Sequence, residues 1–345
     1  MRAPLFPLLL IVSTAVAVKL KVKPNHRPIS LLQHYQHDPF NDGLLAIDVY
    51  VGSDGVTGTF VLDTTRNDIV VSLCADNNPG PDDYCFNYFY STTYTRVAPN
   101  LGNDNIVVQK LQPPPNVTFA IRRSPDHWKK FMGIIGLGPH GPTPIPGETE
   151  VDPWWMTYID GPDTTSMNLA CDYGIAVGST YCQGDEKSTI FLPSNSIKFW
   201  QFPVQQLEIG SLTTGPIEVA IAVAKDYIGV PKKFLTEFTH KYNIPWDGLY
   251  GAYTVNCSDQ YKLPDLNFHV DGGTITIQSN WYIYTLEPLP NGRCVLDFEE
   301  SEDFGFGPGG PKWYVGFQII QTYCVTFDYK NKRLGFTIDQ HCDDW

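Results

Sequence analysis

Residues 61–71 read VLDTTRNDIVV, a short apolar strand that runs into a polar turn and then into a second apolar segment. Asp63 and Thr64 stand where the first strand ends, a position that suits a catalytic carboxylate. Thr65 and Arg66 follow where a tight turn would favour smaller side chains. The stretch predicts a strand–turn–strand unit, and it leaves Asp63 either as half of a catalytic pair or as a turn residue.

The rest of the chain indicates a mostly β protein. With 345 residues it is long enough for two lobes of roughly 150 residues each, and its hydrophobic content of 42% is ample for burial. Apolar and polar residues alternate in segments such as 44–52 and 273–283, as expected for strands with one buried face. A looser partner of residues 61–71 occurs at 217–231, IEVAIAVAKDYIGVP, so we expect each lobe to contribute one such turn to a central cleft.

The first residues have the pattern of a secretory signal peptide. Residues 1–17 contain one Arg, an apolar run and a small-x-small end, which predicts cleavage before Val18 and a secreted, extracellular protein; an uncleaved anchor is the alternative. Residues 18–38 then form a short basic leader, interpreted as a prosegment remnant that lies across an acidic body or as a solvated basic tail. The two lobes are predicted at 39–172 and 173–345.

Charge and motifs exclude several function classes. The net charge of −13 makes nucleic acid and anionic membrane unsuitable partners. The sequence carries no zinc-protease helix motif, no nucleophile elbow and no phosphate loop, so no cofactor is expected. His34 and His37 beside Asp38 form the only close histidine pair, and an exposed linker is a better interpretation of them than a metal site.

Several segments, in the same order along the chain, resemble the pepsin-like aspartic proteases. The resemblance covers nearly all of residues 39–340 and implies a mostly β, bilobal pepsin-like fold with two six-stranded-type β lobes around a central cleft. It is carried by the following stretches: LLAIDVYVG (44–52), VLDTTRNDIVV (61–71), FMGIIGLGP (131–139), KFWQFPVQQLEIG (198–210), KLPDLNFHVDGG (262–273) and WYVGFQIIQTYCVTFDYKNKRLGFT (313–337).

Members of that family hydrolyse peptide bonds with two aspartates, one from each lobe, that share a proton and hold a water molecule. The resemblance places Asp63 at the first position. An alignment without gaps through residues 228–231 places Ala222 at the second, where alanine can neither accept nor donate a proton. Asp226 lies four residues further along, too far for a strand-to-turn path to bring its carboxylate to the same point.

The supporting residues that the resemblance implies are also altered. A Thr follows each Asp in the family; Thr64 is kept, but Val223 replaces its counterpart. A Gly normally comes next, and here Thr65 and Ala224 stand at those two positions. Phe317 replaces an acid of the last motif, Met132 stands where an acid is usual, and the chain between residues 94 and 131 is too short for a full flap with its tyrosine, for which Tyr90 or Tyr94 is a weak substitute.

Secretion makes the eight cysteines a predicted set of four disulfides. The resemblance implies Cys74–Cys85 and Cys257–Cys294. Nearness in sequence favours Cys171–Cys182 and Cys324–Cys342, while a crossed pairing of Cys182 with Cys324 or Cys342 stays open. Two sequons predict glycosylation at Asn116 and Asn256.

Together these residues predict a secreted protein of the peptidase A1 type that lacks the second catalytic Asp. The function that we expect is non-catalytic binding of a peptide or protein in the cleft between the lobes, by a monomer without metal or cofactor. The alternative is an active aspartic endopeptidase that cleaves peptide bonds at acid pH with a rearranged site.

Overall fold

The structure is a computed structural model, and it describes most of the chain beyond residue 44. The described residues are 18–21, 23–24, 45–53, 55–74, 85–108, 117–123, 131–139, 166–170, 174–177, 182, 188–196, 198–285, 288–301 and 311–338. The predicted signal peptide, most of the predicted leader, Asn116, Cys171 and Cys342 therefore lie outside the described residues.

Strands dominate the described residues in the first half of the chain. A single short 3-10 helix, Tyr88–Tyr90, is described among them. The strands are β1 (Val18–Lys21), β2 (Lys23–Pro24), β3 (Leu45–Val51), β4 (Val56–Asp63), β5 (Ile69–Leu73), β6 (Thr95–Ala98), β7 (Leu101–Asp104), β8 (Ile106–Val108), β9 (Val117–Arg123), β10 (Gly133–Gly136) and β11 (Ser166–Ala170).

The second half adds the one α-helix described in the structure, α1 (Lys232–Lys241), and 3-10 helices at Cys257–Asp259, Ser279–Trp281 and Phe317–Gln321. Its strands are β12 (Gly174–Val177), β13 (Thr189–Pro193), β14 (Gln201–Val204), β15 (Gln206–Ile209), β16 (Leu212–Thr213), β17 (Ile217–Ile221), β18 (Ile228–Val230), β19 (Trp246–Asp247), β20 (Ala252–Asn256), β21 (Leu266–Val270), β22 (Gly273–Ile277), β23 (Ile283–Tyr284), β24 (Arg293–Leu296), β25 (Phe298–Glu300), β26 (Trp313–Val315), β27 (Tyr323–Asp328) and β28 (Arg333–Ile338).

The alternation read from the sequence is the reason that these segments are strands. In β21, Leu266, Phe268 and Val270 are buried, whereas Asn267 and His269 are partly exposed. Successive side chains of a strand point to opposite faces, so such a segment covers the core with one face and meets solvent with the other. The structure is mostly β, as predicted.

Two five-strand paths with the same order and the same strand directions define the two lobes. The first runs β3-β4-β10-β5-β9 inside a nine-stranded sheet, and the second is the five-stranded sheet β14-β17-β26-β18-β25. In each path the first pair is antiparallel, the second parallel, the third antiparallel and the fourth parallel. This repeated arrangement is that of the bilobal pepsin-like fold. The loose repeat between residues 61–71 and 217–231 therefore corresponds to one equivalent turn in each lobe.

A six-stranded sheet, ordered β1-β12-β11-β27-β28-β13, joins the beginning of the described chain to its end. Strand β1 pairs antiparallel with β12, and β2 pairs with β3 of the nine-stranded sheet. Residues 18–21 and 23–24 of the predicted leader therefore form strands. The predicted lobe boundary between residues 172 and 173 falls between β11 and β12, which are neighbours in this sheet.

Three disulfides are present in the described part of the chain. Cys74–Cys85 and Cys257–Cys294 are the pairs that the resemblance implied. The third joins Cys182 to Cys324, so the pairing of Cys182 and Cys324 with their nearest cysteines is wrong and the crossed alternative is correct for this bond. The reason is topological, because β27 carries Cys324 into the sheet whose other strands flank Cys182 in sequence.

Candidate functional site

Asp63 and Ala222 occupy equivalent positions in the two lobes. Asp63 is the last residue of β4 and lies opposite Gly136 of the parallel strand β10. Ala222 directly follows β17, whose last residue, Ile221, lies opposite Val315 of the parallel strand β26. The backbone N–H of Ala222 donates to the carbonyl of Val315 at 2.8 Å, which continues the same register. Asp63 and Ala222 therefore lie at the matching ends of corresponding strands, β4 and β17.

Thr64 joins the two turns directly. Its buried hydroxyl donates to the carbonyl oxygen of Ile221 at 2.7 Å and accepts from the backbone N–H of Val223 at 3.1 Å. These two partners are the residues on either side of Ala222, so Thr64 fixes the backbone of the second turn around it. Val223 has no hydroxyl, so it cannot make the equivalent pair of hydrogen bonds to the backbone of the first turn. Between Thr64 and Val223, only Thr64 braces the two turns with a hydroxyl.

Asp63 is held by its own turn. One carboxylate oxygen, Oδ1, accepts from the backbone N–H of Thr65 at 2.8 Å and from the Thr65 hydroxyl at 2.6 Å. The residue itself is partly exposed. None of its hydrogen bonds within the described structure uses Oδ2, and none reaches Asp226. The Thr65 side chain, which we expected only to crowd the turn, binds the aspartate.

The second turn offers no polar side chain at the equivalent points. Ala222 is fully buried in a small cluster with Ala220 and Tyr314. Ala224 is buried in another cluster that it shares with first-lobe residues, among them Val61 two residues before Asp63. The methyl group of Ala222, where the family has an aspartate, and that of Ala224, where it has a glycine, therefore both pack in the apolar core.

A buried ion pair stiffens the first turn behind Asp63. Arg66 donates through Nε and Nη2 to the two carboxylate oxygens of Asp68, at 2.9 and 2.7 Å, and the Asp68 side chain is only 1% exposed. The carbonyl of Arg66 accepts from the backbone N–H of Gly138, where an added Cβ would meet the Arg66 backbone at 2.6 Å. Sequence reasoning treated Arg66 only as an oversized turn residue; the Arg-x-Asp spacing was the signal that it missed.

Asp226, the substitute acid considered from the sequence, is buried in the second turn. Its backbone carbonyl accepts from the side-chain amide of Gln318, in the 3-10 helix that begins at Phe317. The backbone N–H of Phe317 donates to the carbonyl of Lys225 at 2.9 Å, so this helix closes over the turn. Nothing in these contacts brings Asp226 to Asp63.

Between residues 94 and 108 the described chain forms a short hairpin and not a long flap. Strands β6 and β7 pair antiparallel with only Pro99 and Asn100 between them. Tyr94 packs against Phe86 and Tyr88, with ring centroids 6.4 and 5.0 Å apart, and burial raises its pKa. Tyr90 is exposed.

The remaining predicted residues divide into described and undescribed ones. Met132 is buried beside Gly58, where an added Cβ would overlap its sulfur. Asn256 is exposed, and its side chain bonds Asp259 and Arg293, so its glycosylation stays a prediction. Within the described ranges no group of three or more His, Cys, Asp and Glu residues has metal-site geometry, and no helix is long and apolar enough to cross a membrane.

Comparison with known proteins agrees with this architecture. The family model described as eukaryotic aspartyl protease matches residues 174–338. The chain is 27% identical over 168 residues to Aspartic protease 17 of Caenorhabditis elegans, covering 48% of this chain and 42% of that protein. It is 28% identical over 156 residues to Aspartic protease 1 of the same organism, covering 45% and 38%. To human gastricsin it is 22% identical over 248 residues, covering 68% and 62%.

The residues matched by the family model lie in the second half of the chain, and the fold is the bilobal β fold of pepsin-like aspartic proteases. The part of the chain matched to the relatives spans about two fifths of the length of the nematode proteins and 62% of human gastricsin.

Proposed function

We propose that the protein is a secreted, non-catalytic protein of the pepsin-like aspartic protease type that binds a peptide or protein segment between its lobes. One observation carries the proposal. Thr64 bonds the two neighbours of Ala222, an alanine that is fully buried among apolar side chains, and this contact supports the assignment of Ala222 to the second-lobe position that corresponds to Asp63. Water activation by an aspartic dyad needs two carboxylates that share a proton, and one carboxylate cannot fill both roles.

The two-lobed fold is retained, and this supports a protein that still binds a ligand over one that has lost all function. The two five-strand paths, the interlobe contact of Thr64 and the disulfides maintain a bilobal architecture whose cleft suits an extended ligand. Among the described residues, the β6–β7 hairpin is too short to serve as the closing element that would exclude water during a reaction. Secretion rests on the composition of residues 1–17 and agrees with disulfide formation.

A cleavage assay tests the loss of chemistry. The protein, secreted from a eukaryotic host, is incubated with denatured protein substrates between about pH 2 and pH 7, beside a variant with Asp63→Asn. We expect no turnover above background for either protein. Cleavage by the wild type that Asp63→Asn abolishes would instead establish an active acid endopeptidase.

A variant that restores the family's turn residues tests whether the missing residues account for the loss of catalysis. Ala222→Asp, Val223→Thr, Ala224→Gly and Thr65→Gly together rebuild both turns as the family has them. We expect this variant to gain weak acid-dependent hydrolysis, because it regains the shared proton and the second hydroxyl brace. Ala222→Asn with the other three changes is the matched control, since it has the same shape without the carboxylate.

A further inference from the structure

The loop before β24 contains the only Asn-Gly pair in the chain, Asn291–Gly292, and both residues are exposed. Asparagine is a chemically labile residue, because the peptide nitrogen that follows it can attack its side-chain carbonyl. A following glycine favours that attack, since it has no Cβ to shield its nitrogen and its backbone turns freely. No heavy atom of the described residues, apart from the chain neighbours, lies within 4 Å of the point where a Cβ on Gly292 would stand.

Asn291 occupies the third position of a tight turn that begins at Leu289. The backbone N–H of Gly292 donates to the carbonyl of Leu289 at 2.7 Å, and Gly292 has a φ of 75°. Attack by the Gly292 nitrogen therefore requires this hydrogen bond to open. Such opening costs little at an exposed turn, because the turns of a folded protein open locally far below the free energy of global unfolding.

Both ends of the Asn291 side-chain amide have a defined partner. Oδ1 accepts from the backbone N–H of Arg293 at 3.1 Å. A donor at this oxygen stabilises the negative charge that develops there when a nucleophile adds to the carbonyl carbon. Nδ2, the nitrogen that leaves in a deamidation, donates to Oδ2 of Asp247 at 3.3 Å.

Asp247 organises the turn that follows it. Its Oδ1 accepts from the backbone N–H of Leu249 at 3.0 Å, and its carbonyl accepts from the N–H groups of Tyr250 and Gly251 at 3.2 and 2.8 Å. The turn and its preceding residue present two apolar side chains to solvent, since Leu249 is 68% and Trp246 is 56% exposed. The amide on Oδ2 therefore ties this apolar turn to the loop before β24.

We propose that Asn291 is a site of spontaneous deamidation, and that the carboxylate formed there loosens the turn organised by Asp247. The Gly292 nitrogen bonds to Cγ of Asn291, the bond from Cγ to Nδ2 breaks, and the proton of the attacking nitrogen passes through solvent to the departing ammonia. Water then opens the resulting succinimide ring at either carbonyl and gives aspartate or isoaspartate.

The product replaces an attraction by a repulsion. A carboxylate at residue 291 has no N–H to donate to Asp247, and two like charges at hydrogen-bond distance repel each other. Water is the only co-reactant. The reaction involves neither Asp63 nor Ala222, so the inference stands apart from the proposed binding function.

Ageing of the full secreted protein tests the reaction. The protein is held at neutral pH for several weeks, digested with trypsin and mapped by mass spectrometry, and isoaspartate is detected by enzymatic methylation. Asn331 is the internal control, because it is exposed and donates its amide to the carboxylate of Asp328 at 2.8 Å but is followed by Lys332. We expect about tenfold more deamidation at Asn291 than at Asn331. Asn291→Gln should stay unmodified, since its longer side chain would have to form a six-membered ring.

Hydrogen exchange in peptides that cover residues 247–251 tests the consequence. Asn291→Asp is one of the two products, and its turn amides should exchange about fivefold faster than those of the wild type. Asn291→Ser removes the amide without adding charge and should give a smaller increase. Asn291→Asp combined with Asp247→Asn restores an amide–carboxylate pair with the roles reversed, so exchange should return to the wild-type rate. Equal thermal midpoints establish that each variant is folded.

Three results would each overturn the inference. The first is a modified fraction at Asn291 no greater than that at Asn331 in the aged wild type, which needs no variant to fold. The second is wild-type exchange in the Asn291→Asp protein, because the product carboxylate would then leave the turn unchanged. The third is exchange in the double variant as fast as in Asn291→Asp alone, which would exclude the contact with Asp247 as the cause.

Discussion

The Thr64 hydroxyl accepts a hydrogen bond of 3.1 Å from the backbone N–H of Val223, a residue 159 positions further along the chain. The same oxygen donates to Ile221 at 2.7 Å, so one side chain of the first lobe satisfies two backbone groups of the second. Because Val223 cannot reciprocate, this side chain provides the whole hydroxyl bracing between the two turns.

Thr64→Val should destabilise the protein. The substitution keeps the shape of the side chain but leaves a buried carbonyl and a buried N–H without their partner, at a cost of about 1–3 kcal/mol. The free energy of unfolding from urea titration measures the loss.

Thr92→Val is the control for that prediction. Thr92 is exposed, and its hydroxyl makes no hydrogen bond within the described structure. We expect a change within about 0.5 kcal/mol for this variant. Equal stability of the Thr64→Val and Thr92→Val proteins would contradict a bracing role for Thr64.

Removal of the Cys182–Cys324 disulfide should cost more than removal of Cys74–Cys85. The two bonds close loops with sequence separations of 142 and 11 residues. Loop-closure entropy alone gives about 5 kcal/mol for the longer loop and about 3 kcal/mol for the shorter, as upper values. Double Cys→Ser variants of each pair, compared by chemical denaturation, measure the difference, and peptide mapping of the oxidised wild type checks the pairing. Recovery of a Cys171–Cys182 peptide would refute it.

Removal of residues 18–24 should destabilise the protein, because residues 18–21 and 23–24 form β1 and β2 and pair with two different sheets. A chain that begins at Asn25 should therefore have a lower thermal midpoint than one that begins at Val18, by about 2–4 °C for each kcal/mol lost. Replacement of the seven residues by a Gly-Ser segment of equal length should lower the midpoint similarly. Midpoints equal to that of the parent in both proteins would show that the two strands contribute no stability.

Asp328 should make the stability fall at acid pH. Burial alone would raise its pKa, but hydrogen bonds from Asn331 and Arg333, of 2.7–3.0 Å, outweigh burial and hold that pKa below its ordinary value. A carboxyl group whose pKa is lowered by folding stabilises the folded state above its unfolded pKa of about 4, and this contribution disappears as pH falls through the folded value.

The variant Asp328→Asn should therefore lose about 1–2 kcal/mol at pH 7, where the charged hydrogen bonds are complete. Its difference from wild type should shrink as pH falls below about 4, because the unfolded chain then binds the proton, and should disappear only below the lowered folded pKa, where the wild-type carboxyl is protonated as well. Urea titrations at pH 7 and at about pH 3 give the two values. A difference that is the same at both pH values would rule out the carboxylate as its source.

Much of the fold follows from local sequence. Alternation in segments such as 44–52 predicts strands because a strand has a two-residue period, and the order of the resembling segments predicts the two lobes. The equivalence of Asp63 and Ala222 also follows from the sequence, through the gapless match of 228–231. The pairing of Cys182 was not predictable from nearness, because the sheet brings together residues 142 positions apart.

The sequence by itself determined a mostly β chain with two related turns, one acidic and one apolar, since residue identity and strand periodicity are local properties. Only the tertiary structure decided what those residues contact. The two lobes had to be in place before Thr64 could be seen to bond both neighbours of Ala222. The first turn had to be folded before Thr65 could be seen to use one oxygen of Asp63 and leave the other available. Hydrogen bonds depend on distance and direction in three dimensions, and a sequence records neither.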